Sequence, residues 1–471
     1  MKVQKIMFLH LRQLSRLGRA WILLLSLLIM SGSVKAINVL QVSTFDVDVT
    51  PPIGVNLAYE HEENSWDLGL RAKGVVLLGA GQPIVLCAID WILISNDGMD
   101  EFKSALATAA GTIPQRVSVN VLHQHDAPLY DSGAERILLE AGIDPSVNQP
   151  LGYDGTFARD ALRRLTLAVK NSLSKAQSVT HLGLGKAKVE KIASNRNSYG
   201  PDGKVRAFRG SATKEASLRA EPEGIIDPEV SVVSLWNGDQ PLVIMSYYAT
   251  HPQSYYHTKV ANPDFVGVAR FFRQLAVPDA LHIHFNGAGG NVAAGKYNDG
   301  AHENRLILAE RLADGMKRAW EATERQPIGV EGVKWSIQPV SLPPARHVYG
   351  LKEEIKKDKS LLAKNNDIAR ELAWLRRAEA GKQLDVACLT LNNARILYMP
   401  GELFVEYQLA AKAKRPDLFV TMAAYGDLGT GYVGTSLSYE KGGYEVSDIG
   451  SFVAPEVEKV LMNAIHSLLE K

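Results

Sequence analysis

The sequence predicts an α/β chain, one large domain whose mixed β-sheet core is flanked by helices. Three observations carry that reading. Apolar residues recur at period two in short runs along the chain, as in Val117-Ser-Val-Asn-Val121, and such alternation favours strands. An amphipathic helix from Asp97 to Ala110, with Met99, Phe102, Ala105 and Leu106 on one side, stands between two such runs; a strand–helix–strand order favours some parallel pairing. No Pro/Ser-rich linker, internal repeat or low-complexity tract divides the chain.

Composition agrees. The 471 residues are 46% hydrophobic and 22% charged, as in ordinary globular proteins. The formal net charge is +1 and no basic stripe stands out, so no nucleic-acid partner is expected.

Residues 1–36 are read apart from the fold. Lys2, Lys5, Arg12, Arg16 and Arg19 precede the apolar run Trp21–Met30, and Ser33-Val-Lys-Ala36 follows. This is the pattern of a cleavable secretory signal, cut after Ala36. The run is short of the ~20 residues of a membrane span. The expectation is a secreted or periplasmic protein with its catalytic domain at residues 37–471.

The elements follow in order. Phe45–Thr50 alternates as a strand and stops at Pro51-Pro52. Leu68–Ile94 reads as two adjacent strands joined at Gly79-Ala-Gly-Gln82. After the 97–110 helix comes the Val117 strand, then Pro128 and a loop. Phe157–Ala176 is helical. Strands are expected near 182–189, 230–236 and 241–249, with a long loop between 194 and 226, a length that in compact domains is usually functional. A helix at 263–275, a strand at 281–285 entering a glycine cluster, and a helix at 302–323 come next. Residues 351–381 read as a charged helical insertion, a solvated helical pair, with a lid over a cleft as the alternative. Strands at 386–399 and 419–424, a Gly/Tyr-rich loop and a helix at 454–469 close the chain. Cys87 and Cys388 lie in apolar strands and are expected as free, buried thiols.

Chemistry concentrates where strands end. His123 and His125 follow the Val117 strand as an H-x-H pair, and residues i and i+2 share a strand face. His251 follows the strand ending at Tyr247-Tyr248-Ala249. In Tyr398-Met-Pro-Gly-Glu402, a turn brings a carboxylate to the expected start of a helix, with Glu406 as the competing choice. Two histidines and one carboxylate with an open position are a common set for catalytic zinc. There is no Gly-x-Ser-x-Gly elbow for a serine hydrolase, and the cluster at 287–295 lacks the Lys-Ser/Thr of a P-loop.

These stretches resemble the neutral (alkaline, non-lysosomal) ceramidases, zinc amidases that cleave the amide of ceramide. The motifs are L-H-Q-H-D-A-P, A-S-N-R-N-S, I-D-P-E-V, A-T-H-P-Q-S, N-P-D-F-V-G-V-A-R, F-N-G-A-G-G-N-V, P-G-E-L-F and G-Y-V-G-T-S-L-S-Y-E-K-G-G-Y-E, in that order. The resemblance implies a zinc ion held by His123, His251, Glu402 and Tyr432. It implies that His125 handles the proton, that Tyr444 stabilises the oxyanion, and that Arg196 belongs to the catalytic set. Asp126, Asp264 and Asn291 fall at substrate-facing positions. The chain departs from the family at Ala293, where a serine is expected, and at Asp126, in Gln-His-Asp-Ala-Pro. It also ends before the C-terminal β-sandwich that many members carry.

The expected substrate is a small or lipid-like molecule, compatible with peripheral membrane contact. The first reading is cleavage of an N-acylsphingosine-like amide. A polar mouth built from Asp126, Lys296, Tyr297, Asn298 and Asp299 would instead suit an ester, lactone or acylated sugar. A non-catalytic binding protein on the same fold is the third reading.

Overall fold

The computed structural model describes residues 39–64, 68–147 and 150–470; the expected signal segment lies outside them. Three sheets organise the chain and share a four-strand order, to which the first two add a fifth, edge strand (Gln177–Ser178 and Glu324–Pro327). In the first, Gln41–Asp48, Arg71–Gly79 and Gly81–Ile89 run antiparallel in sequence order, and Val117–Val121 pairs parallel with the third. The second repeats this with His181–Lys188, Glu229–Asn237, Gln240–Tyr248 and the parallel strand Leu281–Asn286. The third does so with Val333–Val340, Leu384–Leu391, Ala394–Tyr398 and the parallel strand Phe419–Ala423.

The helices repeat as well. Asn96–Ala110, Asp264–Ala276 and Val405–Lys414 each connect a third strand to its fourth. Thr156–Ser172, Glu303–Glu321 and Val457–Glu470 each follow a fourth strand and pack with the connecting helix of their own repeat. The chain is therefore a threefold topological repeat, which corrects the expectation of no internal repeat. Strand order and connection repeat; the residues do not.

This topology dictates where a site can form. Strands one, three and four of each sheet point the same way, so the segment after strand one and the ends of strands three and four share one end of the sheet. Those three fourth strands converge there. Val121 N donates to Tyr425 O (2.9 Å) and Ala424 N to Asn286 O (2.9 Å), while Asn286 Nδ2 donates to Leu122 O (2.5 Å). Long insertions after each strand one, at 49–70, 189–228 and 341–383, bring further residues to that end.

Burial follows the pleat. In the first sheet Val85, Cys87 and Ile89 face helices, while Ile84, Leu86 and Ala88 face the second and third sheets. Cys87 and Cys388 are free and buried.

Three local expectations change. The segment after Pro128 is not only loop: Ser132–Glu140 is a helix, with Asp131 Oδ1 accepting from Ala134 N (2.9 Å) at its start. The 194–226 segment is ordered, carrying an Asn197–Tyr199/Val205–Phe208 hairpin and the short helix Ala216–Ala220. The 351–381 segment is not a solvated pair. Arg346–Lys357 and Ser360–Lys364 are partly exposed, but Ile368–Glu379 is buried over most of its length. Its charged residues are paired, with Arg377 Nη1 2.6 Å from Asp427 Oδ2 and Arg370 gripping Asp367.

Candidate metal centre

His123 stands two residues past the Val117–Val121 strand. It is in the left-handed region, φ 65°, a strained conformation of the kind found at functional sites. Its backbone N–H donates to Trp91 O (2.9 Å), and Nδ1 lies 2.6 Å from Ile92 O. His251 stands three residues past Gln240–Tyr248. Its backbone N–H donates to Val292 O (2.8 Å), and Nδ1 lies 2.8 Å from Gly289 O. Both side chains are buried.

Glu402 comes from the third repeat. It does not start a helix: Glu402–Leu403 is a short strand pairing parallel with Tyr432–Val433, and the helix begins at Val405. The carboxylate is set by sheet register, not by a helix terminus. The glycine at 290 is required here, because a Cβ would lie 2.2 Å from Glu402 O. Glu406 is engaged elsewhere, accepting from Asn291 Nδ2 (2.9 Å).

Glu402 Oε2 lies 3.1 Å from His123 Nε2 and 3.2 Å from His251 Nε2. A carbonyl can only accept, so each Nδ1 carries the proton, and in a neutral imidazole Nε2 is then an acceptor. Three acceptors therefore face one another, and Glu402 Oε2 has no hydrogen-bond partner among the described residues. A third imidazole joins them: one ring nitrogen each of His123, His125 and His251 lies within 4.8 Å of the others. Such a cluster is repulsive without a cation and fits a metal ion.

The electrostatics agree. Burial, then the Arg196 charge, pushes His251 down to about 4, so it is neutral at pH 7. Burial and the two neighbouring imidazoles hold His125 well below its ordinary value. Burial alone would raise Glu402, but positive charge at the His123 and His251 positions, as a cation held there would bring, more than offsets it and keeps it a carboxylate.

Tyr432 Oη lies 3.3 Å from His251 Nε2 and accepts from Arg196 Nη1 (3.0 Å). Arg196 also donates to Gly290 O (3.1 Å), and its Nη1 is 3.4 Å from His251 Nε2. His125 Nδ1 is 3.3 Å from Tyr59 Oη, and its enclosed Nε2 has no partner among the described residues. Tyr444 is 46% exposed and meets Tyr432 edge-on at 5.9 Å between ring centres. The seven residues His123, His125, Arg196, His251, Glu402, Tyr432 and Tyr444 thus form one cluster.

The three substrate-facing candidates are otherwise engaged. Asp126 is buried, and its oxygens accept from His257 N, Thr258 Oγ1 and Asn262 Nδ2. Asp264 accepts twice from Ser254 N and lies 3.6 Å from Arg305. Asn291 Oδ1 accepts from Val405 N (2.9 Å), and its Nδ2 is spent on Glu406. Ala293 is buried in a short strand, its carbonyl taken by Ser194 Oγ. These groups brace the loops around the centre.

Sequence reasoning missed Tyr425, Tyr59 and Glu445. Tyr425 is buried at φ 60°, stacks on His123 at 5.0 Å, and has its Oη 3.3 Å from His251 Nδ1. It stands two residues past a fourth strand, as His123 does, and that spacing was a usable signal. Tyr59 comes from the insertion after the first strand and carried none.

No protein-family model matches the chain, and no curated protein does. Among the solved structures that match are two ceramidases. Neutral ceramidase from Pseudomonas aeruginosa aligns at TM-score 0.65 and 15% identity, over 92% of this chain and 75% of that one. A ceramidase complexed with C2 aligns at TM-score 0.66 and 14% identity, over the same shares. The fold is the neutral ceramidase fold. At this identity the likeness is one of architecture, and the neutral ceramidase fold here places a buried histidine group able to hold a metal at its strand ends.

Proposed function

We propose that the chain is a zinc-dependent hydrolase that cleaves the amide of an apolar, N-acylsphingosine-like substrate. The observation that carries this is the convergence of His123 Nε2, His251 Nε2 and Glu402 Oε2, with both Nδ1 atoms committed to carbonyls. His123, His251, Glu402 and Tyr432 would hold the zinc. A bound zinc supplies a Lewis acid for a carbonyl and lowers the pKa of water to about 7.

The chain's own residues do the rest. His125 is neutral at pH 7, and Tyr59 steadies its Nδ1. Its Nε2 takes the proton of the attacking water and passes it to the leaving nitrogen. The Tyr444 hydroxyl donates to the carbonyl oxygen as negative charge develops there. Arg196 fixes the Tyr432 hydroxyl.

The rim favours an apolar substrate over an ester or sugar with many hydroxyls. Lys296 Nζ donates to the carbonyls of Arg219 and Glu221, Tyr297 to Glu223, and Asn298 to the carbonyls of Ser211 and Ser254. Those polar groups are used by their own loops. Exposed rings, Tyr256, Phe208 and Tyr444, remain beside the centre. The charged and apolar segments of residues 1–36 support export of the mature protein. The reading is tested by incubating the zinc-loaded protein with ceramide and with acyl esters. Faster release of fatty acid from the amide is expected, and ester-only turnover would overturn the amide assignment.

A further inference from the structure

We propose that Glu445 is a positioning residue that acts through Arg196 to hold Tyr432 on the metal centre; the inference rests on the zinc reading above. Glu445 is fully buried. It lies in a short turn, Tyr444–Val446, directly after the exposed Tyr444. Its Oε1 is 3.4 Å from Arg196 Nε, and its Oε2 accepts from Asn197 Nδ2 (3.3 Å).

Arg196 has a specific need for that carboxylate. It is buried, and its guanidinium carbon lies over the rings of Phe208 (4.6 Å) and Tyr432 (5.5 Å). Its Nη1 reaches Gly290 O and the Tyr432 hydroxyl. This places a full positive charge beside a centre built to take a cation. A buried charge without a partner is costly, and Glu445 supplies the opposite charge from the far side of the guanidinium. Side chains behind the groups that touch a metal commonly set its affinity.

The same loop grips Tyr432 by its backbone, with Tyr432 N donating to Gly450 O (2.9 Å). Glu445 therefore ties together the 444–450 loop, Arg196 and the hydroxyl that faces His251. Substituting it by glutamine keeps the shape and removes the charge. Arg196 then drifts toward other acceptors, and the Tyr432 hydroxyl loses its fixed donor.

The test is zinc affinity, measured by competition with a chelator, for the wild type, Glu445→Gln, Tyr432→Phe and the double variant. Glu445→Gln should bind zinc more weakly by up to about tenfold, no more than Tyr432→Phe does. The double variant should be no weaker than Tyr432→Phe by more than about twofold, because both act on one contact. Unchanged affinity in Glu445→Gln, or losses that multiply in the double variant, would overturn the inference and leave the zinc reading standing. A wild type that takes up no zinc would overturn both. If Glu445→Gln does not fold, Asn197→Ala, which frees Oε2, carries the test: weakened zinc binding supports the inference, and wild-type affinity overturns it.

Discussion

The Nε2 atoms of His123 and His251 both face Glu402 Oε2, at 3.1 and 3.2 Å, although the three residues come from three different sheet repeats. Each repeat contributes at its strand ends. The first gives His123 past its fourth strand, the second His251 past its third, and the third Glu402 past its third. Each imidazole is turned by a carbonyl at its other nitrogen, Ile92 O or Gly289 O. This arrangement leads to the predictions that follow.

Replacing His123 or His251 by alanine should lower zinc affinity by more than the ~10–100-fold typical of an outer partner. Chelator competition on folded variants checks this. Zinc held with wild-type affinity by either variant would contradict the ligand assignment.

Tyr432→Phe removes one oxygen and keeps the ring that lies over His251 at 5.9 Å. Zinc binding should weaken by about tenfold, with turnover falling alongside while the thermal midpoint barely moves. Full turnover would place the hydroxyl outside the reaction.

The metal-free protein should lose stability as pH falls from about 6.5 to about 4. His251 is held neutral in the fold, with its value pushed down to about 4 chiefly by burial. An unfolded histidine protonates near 6.5. Below that pH the unfolded state binds a proton that the folded state refuses, so acid favours unfolding. His282, pushed down to about 4, and His284, to about 3, act in the same sense. Denaturant titrations at pH 7 and pH 5 give the comparison; equal stabilities would contradict the assigned neutral state.

Arg270 and Asp90 form a buried bidentate pair at 2.7 and 2.6 Å, which joins the second repeat's helix to the end of the first repeat's third strand. Arg270→Ala leaves the buried Asp90 without its cation, with only the Arg71 N–H on Oδ2 among the described residues, and should cost about 3–5 kcal/mol of stability. Arg270→Met with Asp90→Asn should recover part of that loss. Calorimetry or chemical denaturation measures both.

Much of the fold was legible in the sequence. Period-two patterns located most strands of the three sheets within a few residues, because burial on one or both faces imposes that alternation. The threefold repeat was not legible, since it lives in strand order and connection while each copy carries different side chains and insertions. The buried helix Ile368–Glu379 was misread as solvated because its arginines and acids are paired with distant residues such as Asp427. At the site, His123, His251 and Glu402 were visible as strand-end residues. The sequence could not show that Glu402 sits in a two-residue strand or that Asp126 is taken up by the 257–262 loop. Both depend on contacts more than a hundred residues apart, or on a register that local propensity does not encode.

The most direct test is the metal content of the chain from Ile37 onward, purified without added zinc and then titrated with it. The account predicts about one zinc per chain, bound at the His123–His251–Glu402 cluster and lost in His251→Ala. A chain that carries no zinc and takes none up on addition would contradict the metal centre, and with it the hydrolase built on that centre.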